Sequence, residues 1–100
     1  DILGFTKEEF LDYIQNEFAD GMTMNNYGEW CLSFHIPKKC YNFTSLKDED
    51  FKRFWSLKNI TPKWLIDAQR QKKQISKKEL DKYGLYDILP IGNIANMLVD

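Results

Sequence analysis

The chain has 100 residues, a formal net charge of −1 at pH 7 and an aromatic content of 15%. This length corresponds to one domain with a single modest core. It holds no run of about eighteen apolar residues and no basic segment followed by an apolar one at its start, so we expect no membrane span and no secretion. The two cysteines lack paired spacing, which excludes a disulfide scaffold and favours a reducing, intracellular setting.

The small net charge hides an uneven distribution along the chain. Residues 1–29 carry a net charge of −6, residues 30–58 carry +3, residues 59–82 carry +4 and residues 83–100 carry −2. A basic centre can support phosphate contacts, whereas the acidic first third weakens the long-range field that attracts DNA. The charge pattern therefore permits nucleic-acid binding without requiring it.

The N-terminal segment predicts an amphipathic helix. Thr6 and Glu9 have the spacing of a capping box, and Phe5 and Phe10 stand at the positions of a hydrophobic staple. Apolar residues then recur at helical spacing, so we expect a helix over about 7–18. Its end is predicted near a glycine, Gly21, which can adopt a left-handed conformation.

The centre of the chain is predicted to contain two strands and two helices. A strand over 29–36 would end at Pro37, since proline cannot donate to a ladder. Ser45 is the expected cap of a short helix to about Phe54, and a second strand is expected over 55–60. Thr61 and Pro62 then have the form of an N-cap followed by proline at the first helical position, which predicts a helix over 62–73. That helix is expected to bury Trp64, Leu65 and Ala68 and to expose Lys63, Arg70 and Lys72.

The C-terminal segment lies beyond these central elements. Ser76 and Glu79 form a second capping box, so a helix is expected to end near Gly84. The remaining residues are rich in Ile, Leu and Met, and an interrupted helix is expected over about 93–99. This tail either packs on the rest of the chain or presents an apolar surface to another subunit.

Three central segments carry a family resemblance. They read GMTMNNYGEW over 21–30, FHIP over 34–37 and FWSLKNITPKW over 54–64. This pattern resembles the HNH endonucleases of phages and large DNA viruses, over roughly residues 3–74. The resemblance implies an α+β fold and a viral or phage protein of the host cytoplasm or the virion. We expect a small ββα-metal core over about 21–74, an N-terminal helix and a C-terminal helical extension over 75–100, all in one domain over 1–100.

The same resemblance implies where the chemistry of the family would stand. An Asp binds a divalent metal, a following His acts as general base, a downstream Asn orients that His, and an Asn or His on the helix binds the metal again. Ungapped alignment equates Ser33 with the Asp and Phe34 with the general-base His. Asn59 matches the orienting Asn, and Ala68 takes the place of the metal-binding Asn. Cleavage chemistry is therefore expected to be lost, and no metal cofactor is expected.

His35 is the only histidine of the chain and lies next to the expected base position. A shift of one residue along a strand turns a side chain to the opposite face, so His35 is interpreted as a surface or hydrogen-bonded structural residue. The alternative is a rearranged site of Ser33, His35 and Asn59. Zinc binding by His35 with Cys31 and Cys40 would lack a fourth ligand, which favours ordinary thiols.

Basic residues on and after the motif's helix are the candidate DNA contacts, because that helix inserts against DNA in the family. The other interpretation is a solvated helix face. The acidic run over 48–50 is interpreted as a helix N-terminus, where negative charge is favoured, and not as a metal site. The candidate DNA-binding residues are Lys63, Arg70, Lys72, Lys73, Lys77 and Lys78.

Three functions remain open from the sequence. The favoured one is a nuclease-fold domain that has lost cleavage and binds double-stranded DNA. The second is an interaction or structural subunit, or an inhibitor, that meets a protein partner or itself through residues 85–99. The third is an active variant endonuclease that uses Mg²⁺ or Mn²⁺.

Overall fold

The computed structural model describes residues 3–70, 74–92 and 94–99. Within them the chain forms an α+β domain with one antiparallel and one parallel pair of strands. The helices are α1 (Lys7–Asn16), α2 (Glu49–Phe54), α3 (Leu65–Gln69) and α4 (Lys77–Tyr83). The strands are β1 (Trp30–Phe34), β2 (Ile60–Trp64), β3 (Ile75–Ser76) and β4 (Leu98–Val99).

The predicted helix caps largely form. The Thr6 hydroxyl accepts a hydrogen bond from the Glu9 backbone N–H at 3.1 Å, and the Glu9 carboxylate accepts one from the Thr6 N–H at 2.8 Å. The α1 helix ends at Asn16, two residues before the predicted end. At α4 only half of the predicted box forms: the Ser76 hydroxyl accepts from the Glu79 N–H at 3.4 Å. Gly84 ends this helix with a φ of +63°, as predicted.

The second strand begins five residues later and ends four residues later than predicted. Residues 55–60 were expected as the strand and Thr61-Pro62 as a helix start, but β2 runs over Ile60–Trp64 and pairs with β1. Hydrogen-bonded and non-hydrogen-bonded pairs alternate in such a ladder. The flanking bonds, His35 N to Asn59 O and Leu65 N to Glu29 O, put Pro62 at a non-hydrogen-bonded position. Proline is tolerated there because its missing N–H would face away from the partner strand.

The helix expected over 62–73 is correspondingly shorter. It begins at Leu65 and ends at Gln69, and its predicted end over 71–73 lies outside the described residues. Leu65, which was expected to be buried, is 42% exposed. Lys63 was expected to be exposed but is half-buried, because it lies in β2 opposite Cys31 and not on a helix. This short helix, α3, packs beside both β1 and β2.

The helix α2 also starts later than predicted, because its N-cap residue is Asp48 and not Ser45. The Asp48 carboxylate accepts hydrogen bonds from the backbone N–H groups of Thr44 and Ser45 at 2.9 and 3.2 Å. It therefore holds the preceding turn and leaves the helix to begin at Glu49. The acidic run lies at this helix N-terminus, as interpreted from the sequence.

Two clusters of buried apolar side chains form the core. Phe34 and Trp55 pack against both clusters and so connect them. The tail contributes to the first cluster, since Leu85 is 0% and Ile88 5% exposed. The buried members of the first cluster are Ile36, Cys40, Tyr41, Phe54, Ile75, Leu80, Leu85 and Ile88, and those of the second are Ile14, Met22, Trp30 and Ile60.

The end of the chain is not the interrupted helix that was expected over 93–99. Ala95–Met97 form one 3₁₀ turn, and the next two residues form β4, which pairs in parallel with β3. Asn93 lies outside the described residues. Upstream, the Lys58 ammonium donates to the Asp87 carboxylate at 2.7 Å, and the Arg53 guanidinium donates to the backbone carbonyls of Asp87 and Leu89. Of the two predicted arrangements of the tail, the structure shows the packed one.

Candidate functional site

Three of the positions that the sequence alignment singled out line one cavity. Ser33 and Phe34 reach it from the end of β1, and Ala68 reaches it from α3. The pairing of β1 with β2 and the immediate start of α3 after β2 bring these distant positions together. The cavity has a volume of about 340 Å³, and its other lining residues are Leu32, Pro37, Lys38 and Phe54.

The described residues that line this cavity include no carboxylate and no imidazole. A hard divalent cation prefers oxygen ligands with negative charge, and general-base catalysis needs a group that can accept a proton near neutral pH. Ser33 is 4% exposed and supplies the one hydroxyl, while Lys38 supplies the one charge. This lining can hold an apolar group beside an anion, but it offers no activated water.

Asn59 stands at the position of the orienting Asn, yet its side chain bonds the backbone and not a histidine. The side chain is 0% exposed. Its Oδ1 accepts from the Ile36 N–H at 2.8 Å, and its Nδ2 donates to the carbonyls of Phe54 and Ile36 at 2.9 and 3.2 Å. Asn59 therefore fixes the backbone where β1 ends.

His35 is buried, with 7% exposure, and its contacts differ from those of Phe34. Its Nδ1 lies 3.2 Å from the Glu79 Oε1, and its ring stacks on Tyr83 with centroids 4.2 Å apart and an interplanar angle of 23°. The Phe34 ring stacks instead on Phe54. His35 is thus a hydrogen-bonded residue that contacts α4. Its side chain bonds Glu79, whereas the side chain of Asn59 bonds the backbone of Ile36 and Phe54.

The surroundings of His35 oppose its protonation. Burial lowers the pKa of the imidazole below its ordinary value of 6.5, because desolvation disfavours the charged ring. The hydrogen bond and negative charge of Glu79 raise this pKa, the charge of Lys63 lowers it further and the charge of Glu17 raises it slightly. Desolvation is the largest of these effects. The lowered pKa favours the neutral ring at neutral pH, which suits a structural contact with α4.

The candidate DNA-binding residues do not share one environment. Arg70 is the exposed cap residue after α3, whereas Lys63 is half-buried on β2 opposite Cys31. Lys77 and Lys78 are exposed in the first turn of α4. Lys72 and Lys73 lie outside the described residues.

The acidic run over 48–50 lines a second cavity of about 530 Å³. Both oxygens of the buried Asp50 carboxylate are occupied, by the N–H groups of Asn42 at 2.8 Å and Ile91 at 3.1 Å. These bonds connect the loop after β1 to the tail. Across residues 3–70, 74–92 and 94–99, no group of three or more Asp, Glu, His or Cys side chains is placed to hold a metal.

The two cysteines are both free thiols. Cys40 is buried in the first cluster, and burial raises the pKa of its thiol because the thiolate would be poorly solvated. Cys31 is half-buried on β1.

Among the helices of the described residues, none is long and apolar enough to cross a membrane.

Sequence reasoning missed three residues of these sites. Lys38 lines the cavity, and its direct succession to Pro37 at the end of the motif was a usable signal. The partners of His35, Glu79 and Tyr83, come from α4 more than forty residues later, where no local pattern points back to β1.

Comparison of the chain with models of known protein families, with curated proteins and with solved structures finds no match.

Proposed function

We propose that this chain is a non-cleaving DNA-binding module built on an HNH-like core, in a viral or phage setting. The observation that carries the proposal is the cavity lined by Ser33, Phe34 and Ala68. The alignment with HNH enzymes equates these positions with catalytic groups, which must lie close together in an active enzyme. Their convergence supports the alignment, and their chemistry supports the loss of cleavage.

The charges near the cavity support an anionic partner. Lys38, Lys39 and Arg70 are exposed, and among the described residues none of the three has a carboxylate within ion-pair distance. Lys58, in contrast, is paired with Asp87. Unpaired surface cations can contact phosphates and release counterions, which is the main sequence-independent source of affinity for DNA.

The two alternative functions have less support. Self-association through residues 85–99 would need an exposed apolar tail, yet Leu85 and Ile88 are buried in the first cluster. An active nuclease would need a general base at the cavity, and the single histidine instead bonds Glu79 on α4. DNA binding without cleavage therefore agrees with more of these contacts than either alternative does.

The proposal is tested by fluorescence anisotropy with a labelled DNA duplex at several salt concentrations, with Mg²⁺ present. We expect affinity to fall steeply with salt and the DNA to remain uncut. The double variant Lys38→Ala, Arg70→Ala removes two cations beside the cavity, so the slope of log K against log salt should decrease by about 2.

The matched control is Lys7→Ala, Lys47→Ala, which removes two exposed lysines of other elements. It should leave the salt slope close to that of the unaltered protein. Absence of binding at low salt would refute DNA binding, and nicked DNA that depends on Mg²⁺ would refute the loss of cleavage.

A further inference from the structure

The cavity beside Lys38 is mostly apolar, which a phosphate contact alone does not require. Five of its seven lining residues are apolar, and the polar ones are Ser33 and Lys38. Its volume of about 340 Å³ lies at the lower end of the roughly 300–1,000 Å³ found for small-molecule sites. An occupant of this cavity should therefore combine an apolar or aromatic body with a negative charge at its edge.

One wall of the cavity is a fixed pair of aromatic rings. Phe34 and Phe54 both line the cavity and stack with centroids 4.2 Å apart and an interplanar angle of 26°. Trp55 holds Phe34 from the side, with centroids 5.4 Å apart and perpendicular planes. Phe54 is 4% exposed, while Phe34 is only partly buried. The wall is thus set in the folded chain and need not be ordered by a ligand.

One cation, Lys38, belongs to this lining, and a second one follows a lining residue in the sequence. Lys38 lines the cavity from the turn after β1, and its ammonium lies 5.8 Å from the centroid of the Phe43 ring, a cation–π distance. Arg70 follows the lining residue Ala68 by two positions at the end of α3. A nucleotide within a strand combines these properties, because its aromatic base is joined through the sugar to negatively charged phosphates.

We propose that the cavity accepts one unpaired base of DNA, with a neighbouring phosphate held by Lys38. This inference rests on the proposed DNA binding and specifies its ligand as DNA that contains an extruded or unpaired nucleotide. Bases stack on aromatic side chains without strong sequence preference, and a base that is already unpaired costs least to extrude. The protein therefore prefers a duplex with a single unpaired nucleotide over a perfect duplex.

The test compares two labelled duplexes of the same sequence, one perfect and one with a single extra thymine in one strand. Affinity for the bulged duplex is expected to be on the order of tenfold higher, the effect of one stacked base. Ala68→Phe fills the cavity and should bring the ratio of the two affinities close to one while the perfect duplex still binds. Gln69→Phe adds the same ring at an exposed position of the same helix and should preserve the preference.

A second pair of variants keeps the test decisive if Ala68→Phe folds poorly. Lys38→Glu should weaken binding of the bulged duplex more than Lys39→Glu, since both lysines are exposed but only Lys38 lines the cavity. Equal affinity of the unaltered protein for both duplexes, or an unchanged ratio in folded Ala68→Phe, would overturn the inference and leave the proposed function standing. Binding of neither duplex would overturn both and would point to an apolar side chain of a protein as the occupant.

Discussion

Asn59 and His35 illustrate how a residue can match, or nearly match, a catalytic pattern and serve the fold. The side chain of Asn59 is fully buried and bonds the main chain of Ile36 and Phe54. Leaving such buried backbone groups unpaired costs roughly 1–3 kcal/mol each, so the fold alone gives a reason to keep this Asn. Its presence therefore carries no information on cleavage. His35 likewise makes a contact between β1 and α4.

At the scale of this residue we predict a loss of stability below pH 6.5. Burial lowers the pKa of His35 in the folded state, so the unfolded chain binds a proton more readily than the folded one. The stability contributed by neutral His35 is thus complete above the unfolded pKa of about 6.5 and decreases as pH falls through that value towards the folded pKa. Urea unfolding at pH 7.5, 6.5 and 5.5 should show the decrease.

Two variants separate this effect from other titrations. His35→Gln removes the only imidazole of the chain, so the decrease between pH 7.5 and 5.5 should disappear. Glu79→Gln removes the hydrogen bond and the negative charge that do most to raise the pKa of His35, so the decrease should become larger. Asp87, whose pKa is lowered by its hydrogen bond to Lys58, affects stability only as pH falls through about 3.8 and below. An equal decrease in His35→Gln would contradict the assignment.

At the scale of elements, local signals predicted two capped helix ends better than they predicted the position of the second strand. The capping box at Thr6 and the helix end at Gly84 depend on neighbours a few residues away, and both form. The position of β2 depends instead on pairing with β1, thirty residues earlier in the chain. Thr61-Pro62 satisfies the rules for a helix start, but Pro62 is also compatible with the non-hydrogen-bonded side of a strand. Pairing with β1 places Thr61 and Pro62 in a strand and not at a helix start.

The sequence likewise predicted some residues of the candidate site and missed others. The alignment singled out Ser33, Phe34 and Ala68, and these three residues line one cavity. It gave no role to Lys38, which the resemblance does not mark as a functional position. It also gave no partner for His35, since Glu79 belongs to the extension beyond the motif. Contacts outside a motif need the packed structure.

For the C-terminal extension we predict that Leu85 stabilises the fold as a core residue. Leu85→Ala should lower the free energy of unfolding by about 2–5 kcal/mol, because the side chain is buried and its removal leaves a cavity. The matched control is Ile91→Ala, an aliphatic truncation at a tail position that is 64% exposed, and it should change stability by about 0.5 kcal/mol or less. Urea denaturation measures both. Similar values for the two variants would show that the tail is not part of the core.

At the scale of the whole molecule, the two core clusters are joined. Phe34 and Trp55 pack against both, so neither cluster can be exposed without loss of contacts in the other. Arg53 and Lys58 add hydrogen bonds from the central segment to the tail. A domain of this size has a total stability of only about 5–15 kcal/mol. Shared contacts of this kind favour one cooperative transition over two independent ones.

This arrangement predicts that a destabilising substitution in one cluster also shifts the unfolding of the other. Leu80 belongs to the first cluster, whereas of the three tryptophans Trp30 and Trp64 pack in the second and Trp55 packs against both. Leu80→Ala should lower stability by about 2–5 kcal/mol, and by the same amount whether unfolding is followed by tryptophan fluorescence or by far-UV circular dichroism. Lys82→Ala, an exposed change on the same helix, should shift neither curve appreciably. If the fluorescence transition stayed in place while the circular dichroism transition moved, the clusters would unfold separately and the bridging role of Phe34 and Trp55 would be wrong.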